Sequence, residues 1–177
     1  MLLLTAVVVA LFTSAGEIDI AVDRAHAPAT STNFLGYVRH GAFTNGRFFR
    51  TVLTHPDNQP HNRAKIDVIQ AGNRPGFTSG PPVAFEATSK TGLRHRDGTV
   101  SMARDTALNT ATTDFFICIG NQPSLDDGGR RSADHRGFAA FGHVVRGMNV
   151  VRAIHDAPHA QQQLTPPIVI RRAEIRE

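Results

Sequence analysis

The sequence predicts a mainly β protein, an antiparallel barrel or sandwich carrying two helices. Three observations carry this. About eight segments read as strands and two as helices, without the strand–helix alternation of a parallel sheet. Fifteen glycines and ten prolines punctuate them, so turns are frequent. The chain has 177 residues, 41% of them hydrophobic, which suits one domain with an ordinary core. No internal repeat and no linker divides it.

The elements follow in order. "MLLLTAVVVALF" is an apolar run, long enough for the core of an export signal and short for a membrane span. No basic residue precedes it. "FTSAG" fits a cleavage region, yet "VVVALF", "TSAG" and "EIDIAV" also read as two strands joined by a tight turn. The expectation is a truncated export signal running into the first strand. In "GEIDIAVD", Ile18, Ile20 and Val22 alternate with Glu17, Asp19 and Ala21, a half-buried strand. The period then changes. Pro28 suits a first helical turn, Phe34, Leu35 and Val38 share a face, and Gly41 suits the stop. "GRFFRTVL" and "KIDVIQAG" read as strands around the polar loop "THPDNQPHNRA". "GTVSMA", "DFFICIG" and "GFAAFGHVV" are further strands. Met148, Val151 and Ile154 recur at helical spacing until Pro158, and "PPIVIRRAEI" makes the last strand.

Composition narrows the function. The net charge is +4, and the arginines are scattered, with adjacent pairs only at Arg130/Arg131 and Arg171/Arg172. A nucleic-acid surface would cluster them among aromatics, so no nucleic-acid partner is expected. The single cysteine, Cys118, rules out an internal disulfide and packs as a small hydrophobe. Nine histidines lack ligand spacing, and Pro158 breaks the helix that would align His155 with His159, so no metal site is predicted. There is no phosphate loop, nucleophile elbow or Ser-centred motif.

The stretch "SMARDTALNTATTDFFICIG" poses a question. Short hydroxyl, amide and methyl side chains run up to two adjacent phenylalanines. A surface loop would explain it, and so would a groove floor whose backbone lies open to a ligand. Arg50 in "FFRTV" and Gln70 in "VIQAG" read, alone, as a surface charge and a turn amide. Phe116 and Leu125 read as core.

Taken together, "GRFFRTV", "VIQAGNRPG", "DGTVSMAR", "TTDFFICIG" and "FAAFGHVVRGMNVV" resemble the cyclophilin family of peptidyl-prolyl isomerases, its bacterial members above all. The resemblance runs from about Thr13 to the C-terminus. It implies an apolar N-terminal segment at 1–12 and an isomerase domain at 13–177. It also implies a closed eight-stranded antiparallel barrel capped by two α-helices, needing no cofactor. Position by position, it assigns Arg50 and Gln70 to catalysis. It assigns Phe116, Val68, Leu125 and Phe138 to the pocket for the substrate proline, and Ala103 and Arg104 to a backbone platform. Departures from the family pattern are Asp67 for a pocket phenylalanine, Val68 for methionine, Asp114 for glutamine and Arg104 for asparagine.

The implied chemistry needs no nucleophile. Amide resonance sets a rotation barrier of ~18–20 kcal/mol. A guanidinium aimed at the proline nitrogen stabilises its lone pair in the twisted state and not in the planar one, which is the differential binding that accelerates a step. The expected partners are proline-containing peptides or unfolded proteins, bound by a monomer without a stable membrane span. Cyclosporin binding should be weak or absent, because Ser124 occupies the position of the tryptophan that grips the drug in sensitive members. Export to the periplasm is favoured over a cytoplasmic location. "THPDNQPHNRA" is expected to be an inserted surface loop whose trimming alters peptide preference more than stability. The competing readings are a non-catalytic peptide-binding or chaperone module on the same barrel, and a small-molecule barrel with an open apolar lumen.

Overall fold

The structure, a computed structural model, describes residues 7–177. Eight strands close into an antiparallel barrel. They are β1 (Val7–Thr13), β2 (Gly16–Val22), β3 (Gly46–Val52), β4 (Val68–Gly72), β5 (Thr99–Met102), β6 (Phe115–Cys118), β7 (Ala140–Arg146) and β9 (Gln163–Arg176). The order around the barrel is β1-β2-β7-β5-β6-β4-β3-β9, and a β1–β9 ladder from Val8↔Arg176 to Thr13↔Ile170 closes it. A two-residue strand, β8 (His159–Ala160), pairs only with the start of β9. The helices are α1 (Pro28–Arg39), the single turn α2 (Thr88–Thr91) and α3 (Met148–His155). The eight-stranded barrel and the two long helices match the sequence reading; α2 and β8 are too short to leave a periodic signal.

Several strand limits move, each for a physical reason. β4 begins at Val68 because the Asp67 carboxylate is drawn aside to the Thr54 N–H and hydroxyl, at 2.9 and 2.8 Å. β7 begins at Ala140, leaving Phe138 outside the ladder. β9 begins earlier than expected. Its pairing to β3 breaks between Phe48↔Ile168 and Arg50↔Gln163, across Pro166 and Pro167, which have no N–H to give a ladder.

The barrel is filled. Val9, Leu11, Ile18, Ile20, Phe48 and Ile69 are among the fully buried residues of one continuous core, which α1 seals with Phe34. The Phe34 ring lies 4.9–5.4 Å from those of Phe43, Phe115 and Phe141. A packed interior leaves no lumen for a small molecule. α1 opens with Pro28, and its first-turn Ala29 and Thr30 N–H groups, which have no partner within the helix, are bound by Glu86 at 3.1 and 2.8 Å. α3 is preceded by its N-cap Gly147, φ +94°, where a Cβ would come within 2.2 Å of the Glu17 carbonyl. Only glycine lets the helix dock on β2 there.

Residues 1–6, the first half of the apolar run and of the expected export signal, lie outside the described residues. The second half is β1, whose Val9 and Leu11 are fully buried and which hydrogen-bonds to both neighbours. Losing it would open two edges at once. Protein purified from its host should therefore retain this strand. N-terminal sequencing should find a first residue no later than Val7, and a start at or after Gly16 would contradict the closed barrel.

Candidate active site

The site lies on the outer face of β3, β4 and β6. Side chains on a strand alternate between faces. In β6, Phe115 and Ile117 therefore enter the barrel core, while Phe116 and Cys118 face outward. In β4, Ile69 and Ala71 go in and Val68 goes out. The outward residues form a second buried cluster with Val52, Ile66 and Leu125, against which Ala103 and Phe138 pack. Cys118 sits at its base, and burial pushes its thiol pKa up, so it is inert packing.

β3 would keep Arg50 on the same face as Phe48, inside the barrel, if its alternation were unbroken. It is not. Phe48 pairs with Ala71 and Arg50 with Gln70, so Phe49 is an extra residue, a β-bulge. The bulge turns Arg50 outward beside Gln70. Its guanidinium is then clamped by two neutral amides: Nη1 donates to Gln70 Oε1 at 2.9 Å and Nε to Gln162 Oε1 at 2.8 Å. Gln70 Nε2 donates in turn to Asp114 Oδ2 at 3.4 Å. Gly72 makes room for that carboxylate, since a Cβ there would lie 2.5 Å from Asp114 Oδ1. Burial lowers the Arg50 pKa and raises that of Asp114; an arginine stays charged regardless.

These groups surround a cavity of about 190 Å³. Its floor is Val68, Phe116 and Leu125, and Arg50 and Gln70 stand on its rim. The Phe138 ring meets Phe116 edge to face, with centroids 5.5 Å apart at 88°. All eight residues singled out from the sequence line this one cavity: Arg50, Gln70, Val68, Ala103, Arg104, Phe116, Leu125 and Phe138. Two differ in detail. The Arg104 guanidinium is fully engaged, donating to Gly137 O at 2.9 Å and to both Asp134 oxygens at 2.8 Å, so it pins the 126–137 loop. Ala103 gives its N–H to Asp114 O.

Other residues had no signal in the sequence. Ile66 and Arg131 also line the cavity, whereas Asp67 does not: its carboxylate faces Thr54 and, at 3.5 Å, His155. A pocket phenylalanine is thus not replaced by a charge, since Ile66 supplies the apolar wall. Gln162 comes from the turn before β9, more than a hundred positions from Arg50. His95 lies under the pocket, its ring stacked on Phe116 at 5.9 Å and 15°. Nδ1 contacts Asp126 at 2.7 Å and Nε2 contacts Ser101 at 2.9 Å. This Ser–His–Asp arrangement could suggest a hydrolase, but His95 is 1% and Ser101 0% exposed, so no substrate reaches it. It braces the phenylalanine. Among the described residues, no group of three or more His, Cys, Asp or Glu is placed to hold a metal ion, and no helix is long and apolar enough to cross a membrane.

The "THPDNQPHNRA" segment is a surface loop, as expected, but two of its amides are tied into the interior, which corrects the expectation that trimming would cost little stability. Asn58 accepts the Leu53 N–H and donates to Thr51 O and Gln161 O. Gln59 donates to Leu53 O and Ile66 O, and accepts from Ile66 N–H and Arg131 Nη1.

Comparison with known proteins identifies the family. A family model described as cyclophilin type peptidyl-prolyl cis-trans isomerase/CLD matches residues 8–175. Peptidyl-prolyl cis-trans isomerase A of Dickeya dadantii (strain 3937) is 37% identical over 180 residues, 94% of this chain and 83% of that protein. Peptidyl-prolyl cis-trans isomerase cyp18 of Streptomyces antibioticus is 33% identical over 179 residues, 94% and 97% of the two chains. A Cryptosporidium parvum cyclophilin type peptidyl-prolyl cis-trans isomerase has the same fold, with a TM-score of 0.74 at 20% identity over 98% of this chain and 99% of that one. That protein was also crystallised in the presence of the dipeptide Ala-Pro. The chain belongs to the cyclophilin family. It is a peptidyl-prolyl cis-trans isomerase, and it accelerates rotation about X-Pro bonds.

Gln59 is only 1% exposed and satisfies four polar groups. Gln59→Ala should therefore cost about 1–3 kcal/mol, because buried partners lose their bonds. For a chain of this size that is a fall in Tm of roughly 2–12 °C. A thermal melt unchanged from the parent would show the segment to be dispensable after all.

Proposed function

We propose that Arg50 is the catalytic group and Gln70 its positioning partner, acting on a proline ring held against Phe116, Val68 and Leu125. The supporting observation is the clamp on Arg50 by Gln70 and Gln162. Both acceptors are neutral, so the guanidinium keeps its full charge and is held in one orientation at the rim of an apolar pocket. An X-Pro bond lying across that rim gains nothing from Arg50 while planar. As the bond twists, the nitrogen lone pair localises and accepts from the guanidinium. Exclusion of water by the pocket strengthens this interaction. Preorganisation by two amides means little reorganisation at the moment of reaction.

The same proposal extends to the setting. The enzyme acts as a monomer on proline-containing peptides and unfolded proteins, assisting their folding, without a cofactor. We place it in the periplasm, on the strength of the apolar residues ahead of β1, since the rest of that run is a barrel strand; recovery of the protein in the periplasmic fraction of its host checks this, and recovery in the cytoplasm alone would overturn it.

Two measurements test the site. Arg50→Ala should lower isomerisation of proline tetrapeptides by one to three decades with the fold intact, since one preorganised donor is worth about 2.7–4 kcal/mol in comparable sites. Unchanged turnover in a folded variant would sink the mechanism. Cyclosporin should bind at least tens of times more weakly than it does to tryptophan-bearing relatives, because the Ser124 hydroxyl replaces an aromatic anchor and its N–H. Titration calorimetry reads this directly, and nanomolar binding would show that Ser124 is misassigned.

A further inference from the structure

Among the described residues, two guanidinium groups face the cavity without a counter-ion. Arg50 donates to the amide oxygens of Gln70 and Gln162. Arg131 Nη1 donates to Gln59 Oε1 at 2.7 Å and Ala64 O at 2.9 Å. All four acceptors are neutral. Among the described residues, Arg131 Nε and Nη2 make no hydrogen bond.

The acids of the surrounding loops are engaged elsewhere. Asp57 pairs with Lys65, Asp126 with His95, Asp127 with Arg136 and Asp134 with Arg104, at 2.7–2.9 Å. Arg104, the third guanidinium on the cavity, is thereby neutralised. Asp114 meets Arg50 only through the Gln70 amide. The wall above the apolar floor thus carries two positive charges and no negative one. Burial lowers the pKa of both arginines, and the charge of Arg50 lowers that of Arg131 further. Two like charges in one half-buried site repel, and an anion between them relieves this while pairing with a planar donor fork.

We propose that Arg131 is a specificity-determining residue, and that the preferred substrate carries a carboxylate beside the proline. This rests on the cavity being the proline site. Two sources supply that chemistry: an acidic side chain next to the proline, or the proline's own terminal carboxylate. Arg131 lies on the segment between Leu125 and Phe138, and its guanidinium is held by the 54–64 segment. Both loops therefore contribute to the selection.

The test uses the full chain and NMR titration with exchange spectroscopy. Peptides with Glu before or after proline are compared with their Gln twins, and Ala-Ala-Pro acid with its amide. At least one acid should bind about ten-fold more tightly than its neutral twin, the size of one charge-assisted hydrogen bond. The arm that shows the preference identifies the source. The acid/amide ratio should fall toward one in Arg131→Gln, survive in part in Arg131→Lys, and shrink with added salt. Should Arg131→Gln fold poorly, Arg131→Lys and the salt series still read the ratio. Equal binding of acids and amides, with every peptide isomerised, would overturn this inference and leave the proline site standing. A preference undiminished in Arg131→Gln would overturn the role of Arg131. If no peptide were bound or turned over, the proline-site reading itself would fall, and this inference with it.

Discussion

Everything at the site depends on the two-residue period of the strands and on the one place where that period is broken. β4 and β6 each send alternate side chains into the barrel and into the pocket, so Phe115 and Phe116 do unrelated work although they are neighbours. β3 must do the same with Phe48 and Arg50, whose spacing would put them on one face. The bulge at Phe49 supplies the missing half-step. Without it the arginine would enter a core of phenylalanines, at a desolvation cost no partner there could offset.

The turned arginine then needs holding without being neutralised. Amides do this where carboxylates would not: Gln70 and Gln162 accept from it and leave its charge intact. Carboxylates nearby serve as supports at one remove. Asp114 braces Gln70, Asp134 fixes Arg104, and Asp126 orients His95 under Phe116. Burial holds the Asp114 pKa up, outweighing the hydrogen bonds from Gln70 and Thr113 that pull it down.

The pocket's flexible-looking surroundings are built from the same economy of buried amides. Asn58 and Gln59 fasten the 54–64 segment to both ends of the β3–β4 connection, and Gln59 passes that order to Arg131. Loop length alone does not decide whether a segment is loose. What matters is whether its polar groups are satisfied in the interior, and here they are.

Much of the fold was legible in the sequence. Alternation marked β2, helical spacing and Pro28 marked α1, and the order of the "FFR", "VIQ", "SMA" and "DFFI" segments pointed to the barrel and to eight residues that do line one cavity. These features are local: period, turn chemistry and side-chain type are written in consecutive residues. What only the tertiary structure decided were relations between distant ones. Gln162 reaches Arg50, Glu86 caps α1, Ile66 displaces Asp67 from the pocket, Arg131 faces it, and a buried serine and histidine are sealed away from any substrate. None of these has a sequence signature, because each depends on where the closed barrel brings a strand end or loop, and on a bulge that repetitive aromatic residues conceal. The sequence determined which residues could do the chemistry; the register of the closed sheet decided which of them meet.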